Sequence, residues 1–274
     1  MTTGLSTHLT VSRRLTPAWL DRAARAGIAK IEVFCARQSF DYRDRTQVAS
    51  LGEYFRDSGA ALHSLHSPIY NDEEWGRSGP RATVNIADTE RIRRKDSVDE
   101  VKRALEVAER APFRYLIQHL GVAGEEFHES KFDAAFSSLE ELNLFARHRE
   151  VEILLENIPN GLSTSGRLMQ FVEATHLDNG FCFDSGHAHI MEGVDRAFES
   201  MKDRVRSTHL HDNDGSADSH LYPGGEGTID WKRTLELLRS RPAQYPLLLE
   251  LREPEDSDDP LAAAMGVFEN WEVS

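Results

Sequence analysis

The chain has 274 residues, of which 39% are hydrophobic and 28% are charged, and its formal net charge is −14. This length lies within the range of one large α/β barrel, so we expect a single domain over residues 1–274. The negative charge disfavours a surface that binds duplex nucleic acid, because phosphate contacts require clustered Lys and Arg. No apolar run reaches the roughly 18 residues of a membrane span, which argues against a membrane protein.

The N-terminal stretch MTTGLSTHLTVSRRLT lacks the basic-then-apolar pattern of a signal peptide, so we expect a cytoplasmic protein. The sequence contains two cysteines, Cys35 and Cys182, and both lie in runs with strand character. We therefore expect reduced thiols in the core and no disulfide framework.

Short apolar runs alternate with longer helical patterns along the whole chain, which is typical of a parallel sheet with helical crossovers. We predict strands in eight runs: 4–11, 30–35, 61–68, 115–121, 152–157, 181–187, 205–211 and 245–251. Eight such strands can close on themselves, so the predicted fold is an α/β (β/α)₈ TIM barrel.

Helix signals separate these runs. The first helix is predicted to begin after Thr16 as the N-cap, with Pro17 in its first turn and Gly27 as its stop. A second helical pattern covers 96–111, with its first residue, an aspartate, as a candidate cap. The longest irregular stretch runs from Asn71 to about Ile92, and we expect a loop of this length to cover a site.

Polar residues that can bind metals gather at the ends of the predicted strands. In a TIM barrel the active site lies at the C-terminal ends of the strands, and residues two apart on a strand share one face. Buried carboxylates are costly unless they are paired or metal-bound, so this convergence predicts a metal site. The strand-end residues are His66, His119, Glu156, Asp184 with His187, His209 with His211, and Glu250.

Alternation also predicts which residues face away from the barrel interior. Leu154 shares a face with Glu156, whereas Ile153 and Leu155 are free to pack against the helices. By the same rule His63 has the opposite parity to the strand-end histidine of its run, and we expect it to face the helix layer.

A series of motifs appears in fixed order along nearly the whole chain, and this ordered set resembles the xylose isomerase-like TIM barrel superfamily. That superfamily includes sugar phosphate isomerases and epimerases and is related to endonuclease IV. The motifs are HSP at 66–68, HLG at 119–121, EN at 156–157, DSGHA at 184–188, HLHD at 209–212, DSH at 218–220, GEGTIDW at 225–231 and the late Glu250.

The resemblance implies roles for individual residues. In the ketose epimerases of the superfamily, one divalent ion is held by residues that match Glu156, Asp184, His209 and Glu250, and the two glutamates also transfer the proton. Endonuclease IV binds three zinc ions with the same quartet and five further positions. Those five positions correspond here to His66, His119, His187, Asp218 and His220.

The expected function is that of a metal-dependent sugar or sugar phosphate isomerase/epimerase, in which a carboxylate moves a proton next to a metal-polarised carbonyl. The first alternative is an endonuclease IV-like multinuclear zinc phosphoesterase. The second is a lyase or dehydratase that acts on a carbohydrate-derived substrate, because a fold alone does not fix the chemistry. A noncatalytic sugar- or metal-binding barrel ranks below these.

The expected cofactor is Mn²⁺, Zn²⁺, Co²⁺ or Mg²⁺, and mixed imidazole and carboxylate ligands favour a transition metal over Mg²⁺. The expected partner is a small-molecule sugar or sugar phosphate, with no nucleic acid or membrane involved. The resemblance also allows a homo-oligomer. We consider His211 and Arg252 as further candidates for substrate contact, because each lies two residues beyond a strand-end ligand on the same face.

Overall fold

The computed structural model describes residues 1–253 and 259–272. It contains eight parallel strands that form one sheet in the order β7-β6-β5-β4-β3-β2-β1-β8, with helices between them. This architecture confirms the predicted TIM barrel. The strands are β1 (Thr3–Ser6), β2 (Lys30–Phe34), β3 (Ala61–His66), β4 (Tyr115–His119), β5 (Glu152–Glu156), β6 (Gly180–Asp184), β7 (Val205–His209) and β8 (Leu247–Leu249).

The helical layer surrounds this sheet. Short 3₁₀ helices cover Thr7–Thr10, Gly79–Arg81 and Val107–Glu109. The α-helices are α1 (Pro17–Arg25), α2 (Arg45–Ser58), α3 (Arg91–Glu106), α4 (Glu129–Arg147), α5 (Ser165–Ala174), α6 (Ser185–Met191), α7 (Val194–Met201), α8 (Trp231–Arg239) and α9 (Pro260–Glu272).

The barrel closes between β7 and β8. Leu210 and Leu249 form a parallel bridge just beyond the end of β7. The backbone N–H of Leu210 donates to the carbonyl of Leu248 at 2.9 Å, and the N–H of Glu250 donates to the carbonyl of Leu210 at 3.2 Å. The ring of strands therefore joins the last strand to both β1 and β7.

The N-terminal cap was predicted correctly for α1 but not for α3. Thr16 accepts a hydrogen bond from the N–H of Trp19 at the start of α1, as predicted. The prediction for α3 was wrong at its start, because Glu90 is the cap and accepts from the N–H groups of Ile92 and Arg93. Asp96 lies inside the helix, which begins with the basic segment at residue 91.

The apolar side chains separate into a main core and a small cluster inside the barrel. The inner cluster comprises Tyr115, Ile117, Leu154 and Cys182. Ile153 and Leu155, which alternate with Leu154 along β5, belong to the main core. The predicted division of β5 into an inner and an outer face is thereby confirmed, and both Cys35 and Cys182 are free thiols.

His63 does not face the helix layer as predicted. Its Nε2 lies 3.2 Å from Oγ of Ser207 on β7, and its ring contacts the inner residue Tyr115. The register between β2 and β3 shifts here, since Ile31 pairs with Leu62 but the next residue pairs with Ser64. A bulge inserts one residue into the strand and changes the face of a side chain, which simple alternation does not anticipate.

The loop after β3 folds back over the C-terminal end of the barrel. Tyr70 and Thr83 form an isolated antiparallel bridge within it. Its residues Trp75, Pro80 and Val84 line a cavity at this end of the barrel, which agrees with the expected covering role of the loop. Among the described residues, none of the helices combines the length and apolar character needed to cross a bilayer.

Candidate metal centre

Four of the predicted ligands converge at the C-terminal end of the barrel. Glu156, Asp184 and His209 are the last residues of β5, β6 and β7, and Glu250 directly follows β8. One ligand atom from each of the four lies within 4.8 Å of those of the others. The side chains are almost fully enclosed, with exposed fractions of 0% for the first three residues and 2% for Glu250.

The imidazole of His209 presents one nitrogen to all three carboxylates. Its Nδ1 lies 2.7 Å from Oε1 of Glu156, 3.3 Å from Oε2 of Glu250 and 4.0 Å from Oδ2 of Asp184. Three carboxylates and one imidazole nitrogen form a donor set suited to a divalent transition metal.

The hydrogen bonding of the quartet fits a bound cation. Oε1 of Glu250 is buried and has no hydrogen-bond partner among the described residues. A buried carboxylate oxygen without a partner carries a large desolvation cost, which a divalent cation would offset. The residues present therefore fit the metal that the resemblance implies.

A second cluster lies beside the quartet. His187, His211, Asp218 and His220 also place one ligand atom each within 4.8 Å of one another. Oδ2 of Asp218 lies 3.1 Å from Nε2 of His187 and 3.3 Å from Nε2 of His220. Nε2 of His211 lies 3.1 Å from Oδ2 of Asp184, so this second cluster touches the quartet.

A third group shares Glu156 with the quartet. Nε2 of His119 lies 2.9 Å from Oε2 of Glu156, and Nε2 of His66 lies 3.4 Å from the same oxygen. The structure thus brings together all nine predicted ligand positions and His211. Arg252 stays apart from them: it is exposed, its N–H donates to the carbonyl of His220, and it is not among the described residues that line the cavity.

Local hydrogen bonds explain the motifs that surround the ligands. Oδ1 of Asp184 accepts from the N–H of His187 at 2.6 Å and so caps α6. The side chain of Asn157 joins β5 to β6, because it accepts from the N–H of Asp184 and donates to its carbonyl. Asp212 accepts from the indole N–H of Trp231 at 2.6 Å, which fastens the loop after β7 to α8.

The two glutamates have opposite pKa shifts. Burial raises the pKa of Glu156, but the adjacent His209 and His119 outweigh burial and leave the pKa well below its ordinary value. Burial dominates at Glu250, whose pKa is raised. Burial lowers the pKa of His209, yet its anionic neighbours raise it well above the ordinary value.

Glu32 is a site residue that the strand-end pattern missed. It lies in the middle of β2 with an exposed fraction of 0%, and its carboxylate lies against Nε2 of His209. Burial raises the pKa of Glu32, but the charge and hydrogen bond of His209 lower it by more. The net shift of this pKa is therefore downward. The available signal was an acidic residue inside an otherwise apolar strand.

Comparison with known proteins places this arrangement in a family. The family model described as "Xylose isomerase-like TIM barrel" matches residues 20–271. The chain belongs to this family. An uncharacterized protein of Sinorhizobium fredii is 25% identical over 212 residues, which cover 71% of this chain and 67% of that protein.

Solved structures resemble this xylose isomerase-like barrel over its whole length. A D-tagatose 3-epimerase-like protein superimposes with a TM-score of 0.78 and 24% identity, covering 100% of this chain and 98% of the other. The IolI protein, crystallised with a zinc atom, gives a TM-score of 0.76 and 18% identity, covering 98% and 97%. At these identities the likeness establishes the common fold.

A cavity of about 750 Å³ opens above the candidate metal centre of this xylose isomerase-like barrel. Its floor includes His119, His187 and Asp218, each of which is hydrogen-bonded within the ligand clusters. Its walls are mainly apolar and include Trp75 and Ile158. Its volume lies within the usual range for small-molecule sites.

Proposed function

We propose that the protein is a divalent-metal-dependent sugar isomerase or epimerase. The observation that carries this proposal is the buried quartet of Glu156, Asp184, His209 and Glu250, in which two glutamates with different environments share one metal centre. Pairs of carboxyl groups whose pKa values are shifted apart are typical of acid and base partners. The name of the D-tagatose 3-epimerase-like neighbour and the zinc atom in IolI agree with this choice.

The proposed chemistry is proton transfer at a carbon next to a carbonyl. A bound divalent ion would polarise the carbonyl and the neighbouring hydroxyl of the sugar. One of the two glutamates, Glu156 or Glu250, removes the proton from the carbon, and the same or the other glutamate returns it. His119, His187 and Asp218 line the floor of the cavity and would contact the sugar there.

We propose an unphosphorylated sugar as the substrate. Neither Lys nor Arg is among the described residues that line the cavity. The seven residues outside the described ranges contain no Lys or Arg either. A phosphate on the substrate would therefore lack the cationic side chains that usually bind it.

The proposal is tested by incubating a panel of free ketoses and aldoses with the Mn²⁺-loaded protein in deuterated water. Proton transfer through a glutamate that exchanges with solvent places deuterium on carbon in the product, which mass spectrometry detects. Turnover without carbon-bound deuterium, or turnover only of phosphorylated sugars, would contradict the corresponding part of the proposal.

A multinuclear phosphoesterase is the second candidate, and the clusters beside the quartet favour it. His187, Asp218 and His220, together with His66 and His119, offer ligands for two further ions. Clustered ions would stabilise the attacking and leaving oxygens of a phosphodiester. Elemental analysis separates the two candidates: about one ion per chain supports the isomerase, whereas three ions with hydrolysis of bis-p-nitrophenyl phosphate support the phosphoesterase.

A further inference from the structure

We propose that Glu32 is a positioning residue that fixes the ring orientation and the tautomer of His209, so that Nδ1 is the nitrogen available to the metal. This inference rests on the proposed metal-dependent function. It concerns a residue outside the ligand quartet, on a strand that supplies none of the nine predicted ligands.

The contacts of the two ring nitrogens are different. Nδ1 of His209 faces the carboxylates of Glu156 and Glu250, at 2.7 Å and 3.3 Å. Nε2 faces Glu32: it makes a hydrogen bond with Oε2 at 3.1 Å, and Oε1 of the same carboxylate lies 3.0 Å away. All three carboxylates of the quartet lie on the Nδ1 side, so Nδ1 is the atom that would bind a metal.

A neutral imidazole carries its single proton on one nitrogen and offers a lone pair on the other. When Nδ1 binds a metal, the proton must reside on Nε2. From there the N–H group donates a hydrogen bond to the carboxylate of Glu32. A carboxylate behind a ligating histidine holds the ring in place and makes it a more basic ligand. Glu32 occupies this position behind His209, because it contacts Nε2 while the quartet faces Nδ1.

Glu32 is itself held in place. Oγ of Ser64, its partner in the β2–β3 register, donates to Oε2 of Glu32 at 2.7 Å. A fully buried carboxylate is costly to keep in a barrel interior, and its partners here are a ligand histidine and a serine. Its contact with the quartet runs through the ring of His209, so it acts on the site through that residue.

The test uses Glu32→Gln, which keeps the size of the side chain and removes its charge. Zinc affinity is measured by calorimetry on the chelator-treated full-length protein. We expect zinc to bind about tenfold more weakly than in the wild type, at the lower end of the usual range for such partners. The matched control is Glu100→Gln, which neutralises a different buried carboxylate. Glu100 is 2% exposed and forms ion pairs with Arg43 and Arg103 away from the site.

A second readout reports the tautomer directly. In the zinc-loaded wild type labelled with ¹⁵N-histidine, we expect His209 to show a protonated Nε2 with a downfield proton resonance, and an unprotonated Nδ1. The resonance should move upfield or disappear in Glu32→Gln and persist in Glu100→Gln. This measurement on the wild type decides the tautomer even if Glu32→Gln fails to fold.

The outcomes separate this inference from the proposed function. A wild type that binds no divalent metal would overturn the metal proposal and this one with it. A wild type that binds zinc through Nε2 of His209 would overturn the positioning role alone. Equal zinc affinity in Glu32→Gln and the wild type, or an equal loss in Glu100→Gln, would also overturn it.

Discussion

Glu156 and Glu250 have the same side chain but very different surroundings. Both oxygens of Glu156 have imidazole partners, in His209 and His119, whereas Oε1 of Glu250 has no hydrogen-bond partner in the part of the chain that the structure describes. If both glutamates transfer protons, Glu156→Gln and Glu250→Gln should each lower kcat/KM by about 10²–10⁴-fold. The measurement is initial rates on a substrate from the sugar panel, at saturating Mn²⁺.

The control for this pair is Glu100→Gln, a buried carboxylate outside the site, which should retain the wild-type rate. Metal content is determined on the same samples, so that loss of the ion is separated from loss of proton transfer. If both variants bound metal and kept the wild-type rate, the assignment of the two glutamates would be wrong.

The second cluster predicts how the stability of the metal-free protein depends on pH. Burial lowers the pKa of His187, but Asp184 and Asp218 raise it to about 10. Burial likewise lowers that of His220, and Asp218 raises it to about 9. A histidine whose folded pKa lies above its unfolded value stabilises the fold fully below about pH 6.5 and loses this contribution as the pH rises.

We therefore expect the free energy of unfolding of chelator-treated protein to fall between about pH 6.5 and 10, as measured by urea titration. Asp218→Asn removes the anion between the two histidines and should give a shallower dependence on pH. A wild-type stability that stayed constant or rose across this interval would contradict the ion pairing in the cluster.

At the residue scale, the convergence of the candidate ligands was predictable because strand alternation and the barrel geometry place the last residues of neighbouring strands together. The position of Glu32 was not predictable in this way, since its importance depends on contact with His209 across the barrel. The close stacking of His211 on His220, with ring centres 4.0 Å apart, likewise depends on how the loop after β7 folds back.

Helix α6 depends on a glycine for its approach to the site. A Cβ atom on Gly186 would lie 2.0 Å from Cε1 of the His211 ring. We expect Gly186→Ala to destabilise the protein by about 1–3 kcal/mol, because the buried ring must move to make room. The same variant should weaken metal binding, since His211 contacts Asp184.

The matched control is Gly166→Ala in α5, where a Cβ would meet no atom within 4 Å. This change should leave stability unchanged or raise it slightly, because alanine favours helix more than glycine does. Thermal unfolding and calorimetric zinc titration of both variants give the comparison. Equal stability of the two variants would show that there is room for a methyl group between Gly186 of α6 and the ring of His211.

At the element scale, the presence of all eight strands was predictable because apolar runs of this length, separated by capped helices, have few other interpretations. The predicted bounds of the first strand, 4–11, were wrong, because β1 ends at Ser6 and residues 7–10 form a 3₁₀ helix. The start of α3 was not predictable, since aspartate is a preferred N-cap residue and glutamate is not, yet Glu90 caps this helix and Asp96 lies inside it. The inward position of His63 was also not predictable, because no residue pattern indicates the register shift between β2 and β3.

The whole molecule should gain stability from the ion that we propose. A ligand that binds only the folded state stabilises it by about 2.7 kcal/mol at a hundred times its dissociation constant. For a chain of this size we expect the melting temperature to rise by several degrees on adding Zn²⁺ or Mn²⁺ to chelator-treated protein. Differential scanning calorimetry at increasing metal concentration measures this rise.

The control for this measurement is Asp184→Asn, which removes one of the four ligands of the quartet. Its melting temperature should respond much less to the same metal concentrations. An equal response in both proteins would indicate that the ion binds elsewhere.

The closure of the barrel between β7 and β8 has a consequence for the order of events during synthesis. Glu250 stands beyond the last strand, and its backbone hydrogen bond to Leu210 forms only when that strand inserts between β1 and β7. A growing polypeptide that has emerged only as far as His209 carries three members of the quartet but not the fourth. The complete quartet is thus among the last features of the molecule to assemble.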